Sequence, residues 1–239
     1  MTANVLVIGA SGDIGKAIVR QLIKDGKRVL LQYFHNRKAV NDLQTEISNE
    51  QWLGAIQADL TTSAGITGFI GELFIQIDAV VFAGGASVYG LFQDMDEEVM
   101  DRLYHLHVKT PWLVTRHLLP GMIQRKGGHI LVISSVWGSV GASMEVLYSS
   151  VKGAQDSFVK ALAKEAATSN VSVNGIGPGY IETKMNNIFN EEEKAAIIES
   201  IPSGRPGLPE EIAALASFLM SEKASYIRGE IIKIDGAWC

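Results

Sequence analysis

Val5-Leu6-Val7-Ile8-Gly9-Ala10-Ser11-Gly12-Asp13-Ile14-Gly15 opens the chain with an apolar run, a glycine-rich turn and the first turn of a helical pattern. Four aliphatic residues in succession predict a strand buried on both faces, as in a parallel sheet. Glycines fold the turn tightly and let the backbone approach a pyrophosphate. The helix N-terminus then stabilises that anion through its free N–H groups and dipole. Placed after a first strand and before a helix, the loop points to a bound dinucleotide.

The same alternation continues outward from this unit. The helix runs to about Asp25, and further strands are expected at Arg28–Tyr33, Leu53–Gln57, Ala79–Phe82, His129–Ile133, Val171–Asn174 and Ile231–Ile234. Strands alternating with helical patterns predict one Rossmann-type, doubly wound α/β domain over residues 1–239, with about seven parallel strands and helices on both faces. Such sheets bind ligands beyond the carboxyl ends of their strands. Pro202-Ser203-Gly204-Arg205-Pro206-Gly207 is expected to be a loop between helices.

Composition narrows the class. The 239 residues are 47% hydrophobic and 20% charged, which suits a well-packed core. A net charge of -5 speaks against nucleic acid as the main partner. No apolar run approaches a membrane span, and Met1-Thr2-Ala3-Asn4 leads straight into the first strand, so a cytoplasmic protein without a signal peptide is expected. The single cysteine, Cys239, excludes an intramolecular disulfide and a cysteine-based metal site. His105 and His107 diverge on a helix and have no matching carboxylate cluster, so no metal is expected.

A second centre lies at Tyr148-Ser149-Ser150-Val151-Lys152, with Ser135 upstream. Tyrosine and lysine four apart share a helical face. A nearby ammonium favours phenolate, bringing a phenol that titrates near pH 10 toward a working proton donor. A serine from a strand end would hold a substrate oxygen against it. At the dinucleotide end, no carboxylate follows the second strand at Tyr33. Arg37 and Lys38 instead offer charge for a 2′-phosphate, favouring NADP(H), unless they are solvated charges starting the next helix.

With Gly9 to Gly15, Ser135, Tyr148 and Lys152 in place, the whole chain resembles the short-chain dehydrogenase/reductases. The resemblance implies that Tyr148 is the general acid, that Lys152 lowers its pKa and holds the nicotinamide ribose, and that Ser135 bonds the substrate oxygen. It also implies cofactor contacts from Gly9, Ser11, Gly12, Asp13, Ile14, Gly15, Tyr33, Asn36, Arg37, Asp59 and Leu60. Ala83, Gly84, Gly85, Pro178, Gly179, Ile181 and Thr183 complete that set, with NADPH/NADP as the cofactor.

There are departures. Ile8 and Asp13 stand where the family's first loop has threonine and its middle glycine. Phe82-Ala83-Gly84-Gly85 replaces Asn-Asn-Ala-Gly, and His107 replaces the family's asparagine. Either that asparagine's role passes through backbone and water, or His107 joins the proton relay.

The general resemblance is to 3-oxoacyl-(acyl-carrier-protein) reductases. A narrower one, at residues 134–148 with Tyr89-Gly90-Leu91 and Leu106-His107-Val108, is to reductases that convert the 5-aminopentanone modification of elongation factor P to an alcohol. Glu145 then serves a substrate ammonium, or is a solvated loop acid. For the acyl-carrier alternative, basic docking residues would include Lys126, Arg125 or Arg116, while Ser169 stands where those enzymes tend to have arginine. A non-catalytic NADP-binding sensor is the remaining reading. Family members are commonly tetramers, so a homotetramer is expected, with Leu113, Leu118, Leu119, Phe158 and Leu162 either at helix interfaces or in the core.

Overall fold

The computed structural model describes residues 3–239; Met1 and Thr2, which the sequence reading placed on the approach to the first strand, lie outside the described residues. From the N-terminus come β1 (Asn4–Ile8), α1 (Asp13–Lys24), β2 (Arg28–Tyr33), α2 (Arg37–Glu46), β3 (Trp52–Gln57), α3 (Ser63–Gly71) and β4 (Ala79–Phe82). The second half carries α4 (Glu97–Tyr104), α5 (Thr110–Arg125), β5 (Gly128–Ile133), α6 (Trp137–Val140), α7 (Val146–Ala166) and β6 (Val171–Pro178). It closes with α8 (Glu191–Ser200), α9 (Pro209–Leu219) and β7 (Ile231–Ile234). Among the described residues the sheet has seven strands in the order β3-β2-β1-β4-β5-β6-β7, and every pairing is parallel.

Each expected strand is present, and the glycine-proline loop does lie between α8 and α9. One strand is longer than expected. β6 continues past Asn174 through Gly175 and Gly177 to Pro178, pairing with β5 on one side and β7 on the other. Ladder bonds on both sides override the weak strand preference of glycine.

The sheet buries both faces, as its continuous apolar strands require. Val5, Val7, Leu31 and Ile176 pack with Ile18, Leu22, Ile212 and Ala216 of α1 and α9. Leu6, Ile8, Val80 and Val132 pack with Phe69, Val114, Met122 and Val159 of α3, α5 and α7. Each such side chain contributes about 1.5–3 kcal/mol through burial. The strand order reverses between β1 and β4, leaving a crevice at their carboxyl ends. Between α4 and α5 the helix slips into a π turn, His105–Lys109, which aims at that same end.

Candidate active site

At the switch point the functional groups are mostly main chain. Gly9 has φ +77°, and a Cβ there would press into the backbone of Ala83 and Gly84, the first residues past β4. Only glycine allows the two loops to meet this closely. Gly9 N–H donates to Gln32 Oε1 (3.0 Å), and Gln32 Nε2 donates to Ala58 O (2.9 Å), so the loop is stitched across three strands. Gly12 caps α1 without a side chain to occupy the first-turn N–H groups. That leaves an anion cradle at a helix N-terminus.

Asp13 would oppose a pyrophosphate if its charge were free. Instead it pairs with Lys16 Nζ (2.9 Å) and accepts from the main-chain N–H of Lys184 (2.8 Å). Burial pushes its carboxyl up, but the Lys184 hydrogen bond and the Lys16 ammonium hold it below the usual range. The bond to Lys184 ties the glycine-rich loop to the segment after β6.

Beside this loop, a cavity of about 230 Å³ between α1 and α2 is lined by Lys16, Arg20, Asn36, Lys38, Asp42 and Lys184, with Ala39. Arg20 is engaged by Glu46 in a bidentate pair (2.8 Å each), and Asn36 Oδ1 caps α2 by accepting from Ala39 N–H. Lys38 faces the cavity, whereas Arg37 does not line it. The donor set suits a 2′-phosphate, so the residues present fit an NADP-type dinucleotide.

Several expected cofactor contacts sit differently. Tyr33 turns its ring into the core, and its carbonyl accepts from Ala58 N–H. The alternation of the strand directs it inward. Leu60 and Ile181 are likewise core side chains, leaving only their main chain to face the crevice. Asp59 Oδ1 is taken by Thr61 N–H (2.9 Å) and its hydroxyl (2.6 Å). Pro178 ends β6 and Gly179 follows it, with Gly179 N–H on Ile234 O (2.9 Å), and half-buried Thr183 leads into the turn that carries Lys184. Ser11 lies in the loop, Ile14 and Gly15 lie in the first turn of α1, and Gly84 and Gly85 follow Ala83 past β4.

The other end of the crevice is built from side chains. Tyr148 and Lys152 lie one turn apart on α7, and Ser135 emerges just past β5. Lys152 is buried; its Nζ donates to Ile133 O (2.8 Å) and Gln155 Oε1 (3.1 Å) and lies 5.4 Å from the Tyr148 ring centroid. Burial pulls Lys152 down to about 7, with Asp156 opposing. Tyr148 moves the opposite way from the expected lowering: burial and then Glu145's charge push the phenol up, while a hydrogen bond from Ser135 favours phenolate. The ammonium is committed to Ile133 and Gln155, so desolvation dominates.

His107 is fully buried, and its ring stands edge-on to Tyr148 with centroids 5.8 Å apart. Nε2 lies 2.8 Å from Ala86 O and 3.3 Å from Ala86 N; the shorter contact assigns the proton to that nitrogen, and Nδ1 has no partner. Burial, then the nearby Lys152 charge, pull this histidine down to about 3, so it is neutral. Its ring bonds neither Tyr148 nor Lys152. Its carbonyl accepts from Gln155 Nε2 (2.8 Å), which joins the π turn to Lys152.

The sequence reading missed Gln155. The signal was present: 148, 152 and 155 share one helical face, so a polar residue at 155 had to be buried beside the lysine. It also missed Asp156, buried and bonded to the Ser134 hydroxyl. Lys16 and Lys184 escaped it because a cavity wall drawn from distant segments has no sequence period.

At the outer edge, Glu145 precedes α7 and its carboxyl is pushed up by burial, a hydrogen bond from Trp137 opposing. Trp137 packs on Trp238, ring centroids 4.9 Å apart. Across the opening Tyr89 meets Phe189 edge-on at 5.8 Å, and Leu91, Val146 and Ile188 are exposed. The rim is apolar, with one acid set into it.

A family model described as Enoyl-(Acyl carrier protein) reductase matches residues 9–238. The chain belongs to the short-chain dehydrogenase/reductase family. Among these oxidoreductases, the uncharacterized oxidoreductase YmfI of Bacillus subtilis is 45% identical over 240 residues, spanning 100% of this chain and 99% of that one. The 3-oxoacyl-(acyl-carrier-protein) reductase FabG of Aquifex aeolicus is 36% identical, covering 97% of this chain and 95% of its own. The family's fold recurs in a solved protein assigned as an NAD(P)-dependent gluconate 5-dehydrogenase from Beutenbergia cavernae, with bound NADP. That structure has a TM-score of 0.92 and 27% identity, with 99% of this chain and 96% of the other covered. No described helix is long and apolar enough to cross a membrane.

Proposed function

We propose that this short-chain dehydrogenase/reductase is an NADPH-dependent ketoreductase whose substrate ketone carries a cationic amine, the 5-aminopentanone group of modified elongation factor P. When bound, the reduced nicotinamide supplies the hydride. Tyr148 gives its proton to the nascent alkoxide, Ser135 orients that oxygen, and Lys152 stabilises the phenolate left behind. The basic cavity at Lys16 and Lys38 accounts for the 2′-phosphate.

One observation carries the choice of substrate. Glu145 is a half-buried acid whose charge makes Tyr148 a weaker proton donor. A neutral acyl chain leaves both penalties in place. A substrate ammonium at Glu145 relieves the carboxylate and removes its opposition to phenolate, so the cationic ketone improves the acid that protonates it.

The second reading, reduction of 3-oxoacyl-(acyl-carrier-protein), is favoured by the FabG relatives. Docking an acidic carrier needs free cations near the opening. Arg125 is held by Asp78 (3.7 Å) and Ile77 O (2.9 Å) just before β4, at the amino end of the sheet and away from the crevice, whereas Lys126 and Arg116 are exposed. The deciding experiment compares NADPH oxidation with ketone-modified elongation factor P and with an acetoacetyl thioester. The aminoketone should be the better substrate, and Glu145→Gln should raise its KM about tenfold, equivalent to ~1.4 kcal/mol, leaving the thioester within about twofold. Turnover of the thioester alone would reverse the assignment.

We further infer a homotetramer. Tyr104, Trp112 and Ile123 expose large apolar surface on α4 and α5, while Leu118 belongs to the core. Sedimentation reads the assembly directly.

A further inference from the structure

Gln155 makes two hydrogen bonds to groups with opposite needs. Lys152 Nζ donates to its Oε1 (3.1 Å), and its Nε2 donates to the carbonyl of His107 (2.8 Å). An ammonium only donates and a carbonyl only accepts. A carboxamide is the neutral side chain that accepts at one atom and donates at the next. Those partners also assign which end of the amide is oxygen. The bridge is dry, since Gln155, Lys152 and His107 are all buried.

The backbone is shaped to receive it. His107 sits in the π turn His105–Lys109, where the shifted hydrogen-bond register presents its carbonyl sideways to α7. Ile133 O takes a second Lys152 proton (2.8 Å). Two of the three ammonium protons are therefore assigned, and the third remains for the side on which Tyr148 lies.

We propose that Gln155 is a positioning residue: it suspends the Lys152 ammonium from the π turn so that the third N–H serves Tyr148 and the dinucleotide. The charged or titratable groups around Lys152 are Tyr148 and Asp156 on its own helix and His107 on the π turn. Asp156 is bonded to Ser134, and His107 is neutral. Gln155 is thus the side chain that steers the ammonium. This rests on Tyr148 and Lys152 performing the reduction proposed above.

The test measures kcat, KM and the pH dependence of kcat/KM for Gln155→Leu and Gln155→Glu, with NADPH and ethyl acetoacetate or the aminoketone as probe. Gln155→Leu should lower kcat roughly 30-fold, within the range of proton-transfer effects, with the ketone KM within about threefold. Removing an acceptor destabilises the ammonium, so its alkaline limb should move to lower pH. Gln155→Glu keeps the side-chain size and adds a carboxylate beside the ammonium, so its limb should move to higher pH. If Gln155 merely filled space, Gln155→Leu would leave the limb in place. The inference is overturned if the Gln155→Glu limb stays in place, whatever the stability of the leucine variant, or if Gln155→Leu keeps kcat within about twofold. Tyr148→Phe and Lys152→Ala separate the two levels: retained turnover in these refutes the roles given to Tyr148 and Lys152, whereas lost turnover in them with unaffected Gln155 variants refutes only the bridge.

Discussion

At the switch point the functional groups are main-chain N–H groups shaped by Gly9 and Gly12, whereas at α7 they are buried and half-buried side chains coupled through charge. The first region would recognise an anion with fixed dipoles that do not titrate. The second holds Tyr148, Lys152, His107 and Glu145, each with a pKa moved by burial. Binding is therefore set by geometry and turnover by protonation. The contrast predicts that variants at one end should change affinity without changing a pH limb, and variants at the other should do the reverse.

Tyr148→Phe tests the contrast hardest. Turnover should fall about 10²–10⁴-fold, the span of a lost general acid, while NADPH binding by fluorescence titration stays within about twofold. A binding-only protein would show no such split. Gly9→Ala attacks the opposite end. Its φ of +77° and the contact with Gly84 leave no room for a methyl group. Strain of about 1–2 kcal/mol for the left-handed backbone, added to the clash, should lower the melting temperature and abolish NADPH binding.

The pH dependence is expected next. Lys152 is pulled down to about 7. If its ammonium is required, kcat/KM should decline as pH rises through that value. The same shift has a stability consequence. The unfolded lysine binds its proton up to its ordinary value near 10.5, so between about 7 and that value the unfolded state holds more protons. The Lys152 contribution therefore makes stability rise with pH across this window, even as activity falls. Urea titrations across the range read it. The smallest effect is at Lys38→Ala, where NADPH should bind about tenfold more weakly, ~1.4 kcal/mol, and NADH be unchanged. Equal loss for both would remove the 2′-phosphate argument.

These regions also differ in how plainly they stood in the sequence. The loop from Gly9 to Gly15 was legible because glycines at fixed places before a helix have few other uses. The strands were legible because they are buried on both faces. Tyr148, Lys152 and Ser135 were recognisable by spacing, but their electrostatics were not. The expectation that Lys152 lowers Tyr148 considered one pair, whereas burial and Glu145 decide the direction. The π turn was hidden because a one-residue slip in hydrogen bonding leaves no periodic trace, so the bridge through Gln155 was hidden with it. Tyr33 was assigned to the cofactor by position along β2, yet the alternation of that strand points it to the core.

Asp13 holds the main chain of Lys184, 171 positions away. The loop that would receive the dinucleotide thus also anchors the segment after β6. A dinucleotide seated on that loop would lie beside the carboxylate that fixes this segment, which would link the two arrivals kinetically. The expected result is compulsory order, with NADPH first and the ketone second, read from product-inhibition patterns. Asp13→Asn, which weakens the anchor without removing it, should relax that order toward random.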